Sequence, residues 1–216
     1  MSMIDIFDEG VAGYLAFGYH SERKFNDYTL SYNMESISGI NSEYIKDSLN
    51  QWSAVSGLEF YQVDTAAQIT FYSSGWSSFS VSNVVGGEIL SSDVYVSPIT
   101  SLVGRDFLHM TWLHEIGHAL GLGHAGPYNG NSATYADRIF EEDTTDFTVL
   151  SYFGDPVTTL QEADILAIQL LYPDTNHSDP IYPVSDSVRG LTLEVNSGTT
   201  VIGTSGDDYI TILDPV

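Results

Sequence analysis

The 216-residue chain has no cysteine. Neither a disulfide nor a thiolate metal ligand is available, so the fold must stand on core packing and on metal ions held by other side chains, with histidine the remaining soft ligand. Basic residues are scarce: six lysines and arginines face 29 aspartates and glutamates, a formal net charge of -23. A surface of that sign repels phosphate backbones and anionic membranes, so neither nucleic acid nor a lipid surface is an expected partner. It suits calcium, salt-rich surroundings and cationic substrates, and it serves equally well simply to keep a chain soluble. Long apolar runs are also missing, so no membrane insertion is expected. The first residues, Met1 to Glu9, lack the basic start and apolar stretch of a secretory signal peptide, and no N-terminal signal is expected. The length allows one domain with a full core plus an appendage, and a monomer is expected.

What is present centres on His114-Glu115-Ile116-Gly117-His118-Ala119-Leu120-Gly121-Leu122-Gly123-His124. Histidines four apart stand one turn above each other on a helix, within reach of a shared tetrahedral zinc ion. Glu115 lies beside them without needing to ligate, placed to take a proton from a water. Gly121 can adopt the left-handed conformation that ends a helix and turns the chain back, bringing His124 round as a third ligand. Three protein nitrogens leave a fourth position open, as catalytic zinc sites do.

This stretch matches the extended H-E-x-x-H-x-x-G-x-x-H signature and resembles the metzincin metalloendopeptidases. Gly104-Arg105 upstream and Tyr128-Asn129 downstream look most like the serralysin branch. That branch usually has proline after the third histidine, where this chain has Ala125, a departure that bears on the loop following the ligand. Asp146-Phe147-Thr148-Val149-Leu150-Ser151-Tyr152-Phe153 resembles the Met-turn beneath the metal, with Leu150 at the position of the methionine. Leucine and methionine are close in volume, so a slightly less adaptable floor is expected. The resemblance implies that Tyr152 is an extra zinc ligand in the resting state, and that it swings away to donate a hydrogen bond to the oxyanion. It also implies secretion by a type I route that reads a C-terminal signal.

The rest of the chain reads as an α/β fold. Tyr28 to Asn33, Leu58 to Val63, Gln68 to Tyr72 and Asp93 to Pro98 carry strand patterns. Ile45, Leu49, Trp52 and Val55 recur at helical spacing, with Gly57 where a C-terminal cap would stand. Strand, helix, strand, strand predicts a mixed, mostly parallel sheet. Gly75 to Asn83, with Phe79 and Val81 alternating, resembles the edge strand on which the family's substrates lie antiparallel; an ordinary loop with a short edge strand fits it as well. On the zinc helix Phe107, Met110, Leu113, Gly117 and Leu120 form the expected core stripe, while His109 and Trp112 read as packing or surface residues. Tyr14 to Tyr19 resembles the family's entry into its catalytic domain, and His20 behind it is given no role. Residues 126–145 read as a loop with acidic Glu141, Glu142 and Asp143. Thr159 to Glu162 reads as a capping box opening a last helix through Ile165, Ile168 and Tyr172.

The domain expectation is therefore a metzincin-like catalytic domain over 10–174, a Pro- and Ser-containing linker over 175–198, and a partial calcium-binding repeat over 199–216. Gly203-Thr204-Ser205-Gly206-Asp207-Asp208-Tyr209-Ile210-Thr211 fits the nonapeptide G-G-x-G-x-D-x-U-x at every fixed position but the second, with Asp208 as the candidate calcium ligand. One copy is a stub, because stacked neighbours complete each site; either the chain was cut from a longer protein or it has lost its roll. The functional expectation is a secreted zinc endopeptidase acting on protein or peptide substrates. His114, His118 and His124 would be its ligands and Glu115 its base, with Zn2+ and also Ca2+ as cofactors. The alternative is a catalytically degenerate module of a larger calcium-dependent protein. A zinc hydrolase of another substrate class is a third reading.

Overall fold

The computed structural model describes residues 10–130 and 133–173, together with the backbone of two short strands at 192–196 and 209–213. Helix α1 (Gly10–Gly13) continues as a π-helical turn over Tyr14–Gly18. Strand β1 (Thr29–Asn33), helix α2 (Ile40–Ala54), and strands β2 (Glu59–Gln62), β3 (Ile69–Tyr72), β4 (Phe79–Val85) and β5 (Glu88–Tyr95) follow. After them come the short α3 (Thr100–Val103), the long α4 (Arg105–Ala119), a single 3-10 turn at Tyr135–Asp137 and α5 (Glu162–Leu171). Strands β6 (Thr192–Asn196) and β7 (Tyr209–Leu213) pair parallel with each other. β6 falls inside the stretch read as linker, and Asp208 lies outside the described residues.

The main sheet has the order β2-β1-β3-β5-β4. β1 runs parallel to β2 and β3, β3 parallel to β5, and only β4 is antiparallel to its neighbour. The mixed, mostly parallel sheet expected from the order of elements is the one found. What the sequence reading missed is that β4 and β5 form one hairpin, closed by Gly86 and Gly87. Both adopt positive φ, as a tight hairpin turn demands. The signal was the Gly-Gly pair between two β-rich runs.

β4 inverts the usual alternation. Phe79 and Val81 point to solvent, while Ser80 and Ser82 face the helix layer. The reason is a set of hydroxyl contacts with α4. Ser80 donates to the Glu115 main-chain carbonyl at 2.6 Å, and Ser92, paired with Ser82 at 2.9 Å, donates to the Ala119 carbonyl at 3.0 Å. These serines let the sheet lie close against the helix backbone while its polar groups stay satisfied. On the opposite face Tyr72, Tyr95 and Phe79 stack across three strands.

α4 is buried almost all round from Leu108 onward, so the expected single stripe gives way to a helix covered on several sides. Phe107 and Met110 are only half-buried, while Trp112 is fully enclosed and donates its indole N–H to the Asn41 side chain at 3.0 Å. His109 stacks on Tyr44 with its Nε2 3.0 Å from the Asp47 carboxylate. From α2, Trp52 donates to the Leu113 carbonyl at 3.2 Å and packs over Gly117, where a Cβ would come to 3.0 Å from the indole. α2 ends at Ala54 with Val55 as its cap, and Gly57 keeps an ordinary negative φ; the terminus is fixed by Ser56 bonding back to the Trp52 carbonyl.

The last helix begins two residues later than expected. Gln161 is its N-cap residue because Asp164, buried inside the protein, accepts the Gln161 N–H at 2.8 Å. Thr159 instead receives the Gln161 side chain. At the other end Tyr172 is fully buried, and its hydroxyl accepts from the Phe25 N–H and donates to the Leu120 carbonyl, both at 2.8 Å. One phenol thus ties the entry to β1 to the end of α4. Tyr172→Phe would leave the Phe25 N–H without an acceptor inside the core and should cost about 1 to 3 kcal/mol. Urea unfolding of parent and variant measures this, and a difference under about 0.5 kcal/mol would mean that the bridge carries no net stability.

Candidate metal centre

α4 ends in a turn that performs two tasks. Gly121 takes φ +111°, and a Cβ there would run into the Arg23 carbonyl, so glycine is demanded by both conformation and space. The Gly121 N–H bonds to the His118 carbonyl at 3.0 Å and the Leu122 N–H to the Gly117 carbonyl at 3.1 Å, the paired bonds of a Schellman motif. The reversed chain then carries His124 back beneath the helix. The same turn offers its Leu122 carbonyl to His118 Nδ1 at 2.9 Å.

The three histidines meet. His118 Nε2 lies 3.0 Å from His114 Nε2 and 3.0 Å from His124 Nε2, and the three form one cluster of potential metal ligands. Because a carbonyl oxygen only accepts, His118 carries its proton on Nδ1. The same holds for His114, whose Nδ1 donates to the Val149 carbonyl at 2.8 Å. Both Nε2 atoms therefore direct lone pairs at each other in a buried site, an arrangement that repels unless a cation sits between them. Burial also holds all three imidazoles neutral: His114 falls to about 4, and His118 and His124 are depressed further by their neighbours in the cluster. A donor set of three neutral, convergent nitrogens fits zinc.

Glu115 is buried at 5 % exposure, with the Ser80 hydroxyl near its carboxylate at 3.4 Å. Burial pushes its carboxyl up to about 8, the hydroxyl opposes this, and a cation on the imidazoles would bring it down. Tyr152 is partly exposed, its ring 4.8 Å from that of His124 and 5.8 Å from that of His114, with the Gly130 backbone hydrogen-bonded to its phenol. Leu150 is fully buried beneath α4, its Cδ2 3.2 Å from where a Gly117 Cβ would stand. Ala125 is also fully buried, so the position after the third histidine belongs to the core.

Other residues at the centre were not picked out from the sequence. Tyr19 packs edge-on against His124 at 5.0 Å and against His20 at 4.5 Å, so His20, given no role, stands near the site, and its own imidazole falls to about 4 through burial. The acidic cluster divides: Asp143 is fully buried and accepts from the Tyr128 hydroxyl at 2.7 Å, which props the loop under His124 and Tyr152. Asp164 accepts from the Thr148 hydroxyl at 2.6 Å and the Val149 N–H at 2.9 Å, holding the turn whose carbonyl orients His114. Its signal was an acidic residue between Ala163 and Ile165 in a helix otherwise apolar on that side.

Burial raises the Asp164 carboxyl from 3.8 to about 6, against three donors that lower it. The folded chain thus holds this proton more tightly than the unfolded chain does. The resulting stabilisation is complete below the ordinary value and is lost as pH rises through about 6. Asp164→Asn cannot titrate, so the stability of the parent relative to the variant should fall by on the order of 3 kcal/mol between pH 4 and pH 6.5 in chemical unfolding. A constant difference over that range would contradict the assignment.

No protein-family model matches the chain. It is 25 % identical over 221 residues to a serralysin of Proteus mirabilis, covering 89 % of this chain and 43 % of the relative. It is 40 % identical over 115 residues to the metalloprotease AprA of Pseudomonas entomophila, covering 52 % of this chain and 22 % of the relative. The chain spans less than half the length of these curated relatives. Among solved structures, myroilysin aligns with a TM-score of 0.50 over 74 % of this chain and 94 % of its own, a likeness of fold at 14 % identity. The chain is thus similar in sequence to serralysins and to the AprA metalloprotease over part of their length, and similar in fold to myroilysin.

Proposed function

We propose that the chain is the catalytic domain of a secreted zinc endopeptidase, with His114, His118 and His124 as ligands and Glu115 as general base. The observation that carries this reading is the convergence of three Nε2 atoms in 3.0 Å steps, two of them on rings that hold their proton on Nδ1, next to a buried carboxylate on the same helix. A zinc ion there supplies Lewis acidity, polarising the scissile carbonyl and making a water acidic enough to lose a proton near neutral pH. Glu115 takes that proton and delivers it to the leaving amine. Tyr152, at the rim beside His124, donates to the oxygen on which charge develops. β4, at the edge of the main sheet with Ser80 touching Glu115, is the platform for an extended peptide. Export by a type I route and calcium binding at Asp208 belong to the same reading, and rest on the sequence resemblance alone.

The direct test is cleavage of unfolded casein, abolished by a chelator and restored by zinc. An intact chain that binds zinc and leaves casein uncut would instead support a degenerate module, and turnover of small esters or amides without peptides would support a different hydrolase. Glu115→Gln should retain zinc and lose more than about 10²-fold in kcat/KM, because the amide fills the same space and accepts no proton. Full zinc content with activity within tenfold of the parent removes Glu115 from the role. Tyr152→Phe should lower kcat by roughly 10² with little change in KM; unchanged steady-state kinetics would reduce the phenol to packing. Leu150→Met should change stability by less than about 1.5 kcal/mol and leave kcat within a few-fold. A rise of orders of magnitude would show that leucine disables the floor.

A further inference from the structure

Behind the histidine cluster runs a chain of hydrogen bonds whose donors all point one way. His114 Nδ1–H donates to the Val149 carbonyl at 2.8 Å. The other end of that peptide group, the Leu150 N–H, donates to the Thr148 hydroxyl oxygen at 3.0 Å. The Thr148 hydroxyl then donates to Asp164 Oδ1 at 2.6 Å. Thr148, Val149, Leu150 and Asp164 are each 0 % exposed and His114 is 9 % exposed, so no water competes at any step. Bonds aligned head to tail in a low-dielectric interior polarise one another, and a chain ending on a carboxylate draws electron density toward its far end.

We propose that Asp164 is a positioning residue for the first metal ligand, acting on His114 through the Thr148 hydroxyl and the Val149–Leu150 peptide group. Metal-ligating histidines commonly give their second N–H to a carboxylate or a carbonyl, which fixes the tautomer and raises the basicity of the ligating nitrogen. Here the two partners are joined in series, so the turn behind His114 would transmit the carboxylate's charge to the ring that would ligate the metal. The second carboxylate oxygen, bonded to the Val149 and Gln161 N–H groups, anchors the same residue to the start of α5. The site and the closing helix therefore share one buried charge. Sequence spacing alone does not show the connection, because Asp164 lies forty-odd residues from the ligand cluster and within no metal motif.

The inference rests on the zinc reading of the cluster, and the test separates the two. Zinc affinity of the intact chain is measured by competition with a chromophoric chelator. The His114 ring is observed by 15N NMR in the metal-free chain, and casein cleavage is followed in parallel. Thr148→Val removes the relay hydroxyl at nearly constant shape and leaves the Asp164 contacts to Val149 and Gln161 in place. It should weaken zinc binding by about 10- to 100-fold and shift His114 toward the Nε2–H tautomer. Thr148→Ser, which keeps the hydroxyl, should restore both. The proposal is overturned if Thr148→Val matches the parent in affinity and ring shifts, or if Thr148→Ser fails as Thr148→Val does. Should Thr148→Val not fold, the parent still decides: an Nε2–H tautomer of His114 there overturns the proposal, and an Nδ1–H tautomer together with rescue in Thr148→Ser upholds it. Parent protein that binds zinc with the relay intact yet never cleaves casein would overturn the peptidase reading and leave the relay standing.

Discussion

Three neutral imidazoles held nitrogen to nitrogen at 3.0 Å, with their lone pairs facing inward, are the constraint on which the rest of this structure depends. Such a cluster suits a cation, and hydrogen bonds from neighbouring turns hold two of its three rings. Each of the two helical histidines is locked from behind by a carbonyl of a different turn, Val149 for His114 and Leu122 for His118. Those turns are in turn fixed, the first by buried Asp164 and the second by the glycine reversal at Gly121. The helix bearing the cluster is wedged by Trp52 on one side and by the serines of β4 and β5 on another. Binding of a metal there would add to the stability of the folded state, because the unfolded chain does not hold the three ligands together.

The elements around the centre combine ordinary local rules with a few departures that the site imposes. Gly117 sits in the last turn of α4 despite its poor helical propensity, because Trp52 and Leu150 both need the space over it. β4 places serine where a core strand would place valine, because it faces helix carbonyls and the Glu115 carboxylate, not a greasy layer. Buried Asp143 and Asp164 are each held by donors from the loops that flank the histidine cluster. All three departures from the usual patterns lie within the shells around one site.

Much of this was legible in the sequence. The strand and helix periods gave the mixed, mostly parallel sheet without its β4–β5 hairpin, and the H-E-x-x-H-x-x-G-x-x-H spacing named the three residues that come together and the glycine that turns the chain. What could not be read were contacts that depend on tertiary placement. The cap of α2 was assigned to Gly57, because a glycine after an apolar period is the usual stop, whereas Ser56 closes that helix through its own side chain. The start of α5 was assigned to Thr159, because threonine followed by Glu162 imitates a capping box, whereas buried Asp164 chose Gln161. Tyr19 and His20, a hundred residues before the motif, reach His124 only because the π-helical turn docks beside the loop at Gly123, where the Gly123 N–H bonds to the Leu15 carbonyl at 2.7 Å. No local pattern encodes that docking.

The central claim is that His114, His118 and His124 hold one zinc ion through Nε2 and leave a position open to solvent. X-ray absorption at the zinc edge on the reconstituted protein tests it most directly. Three imidazole nitrogens at about 2.0 to 2.1 Å are expected, accompanied by one or two oxygens at about 2.0 to 2.2 Å. A shell of oxygens alone, or fewer than three imidazoles per zinc, would contradict it.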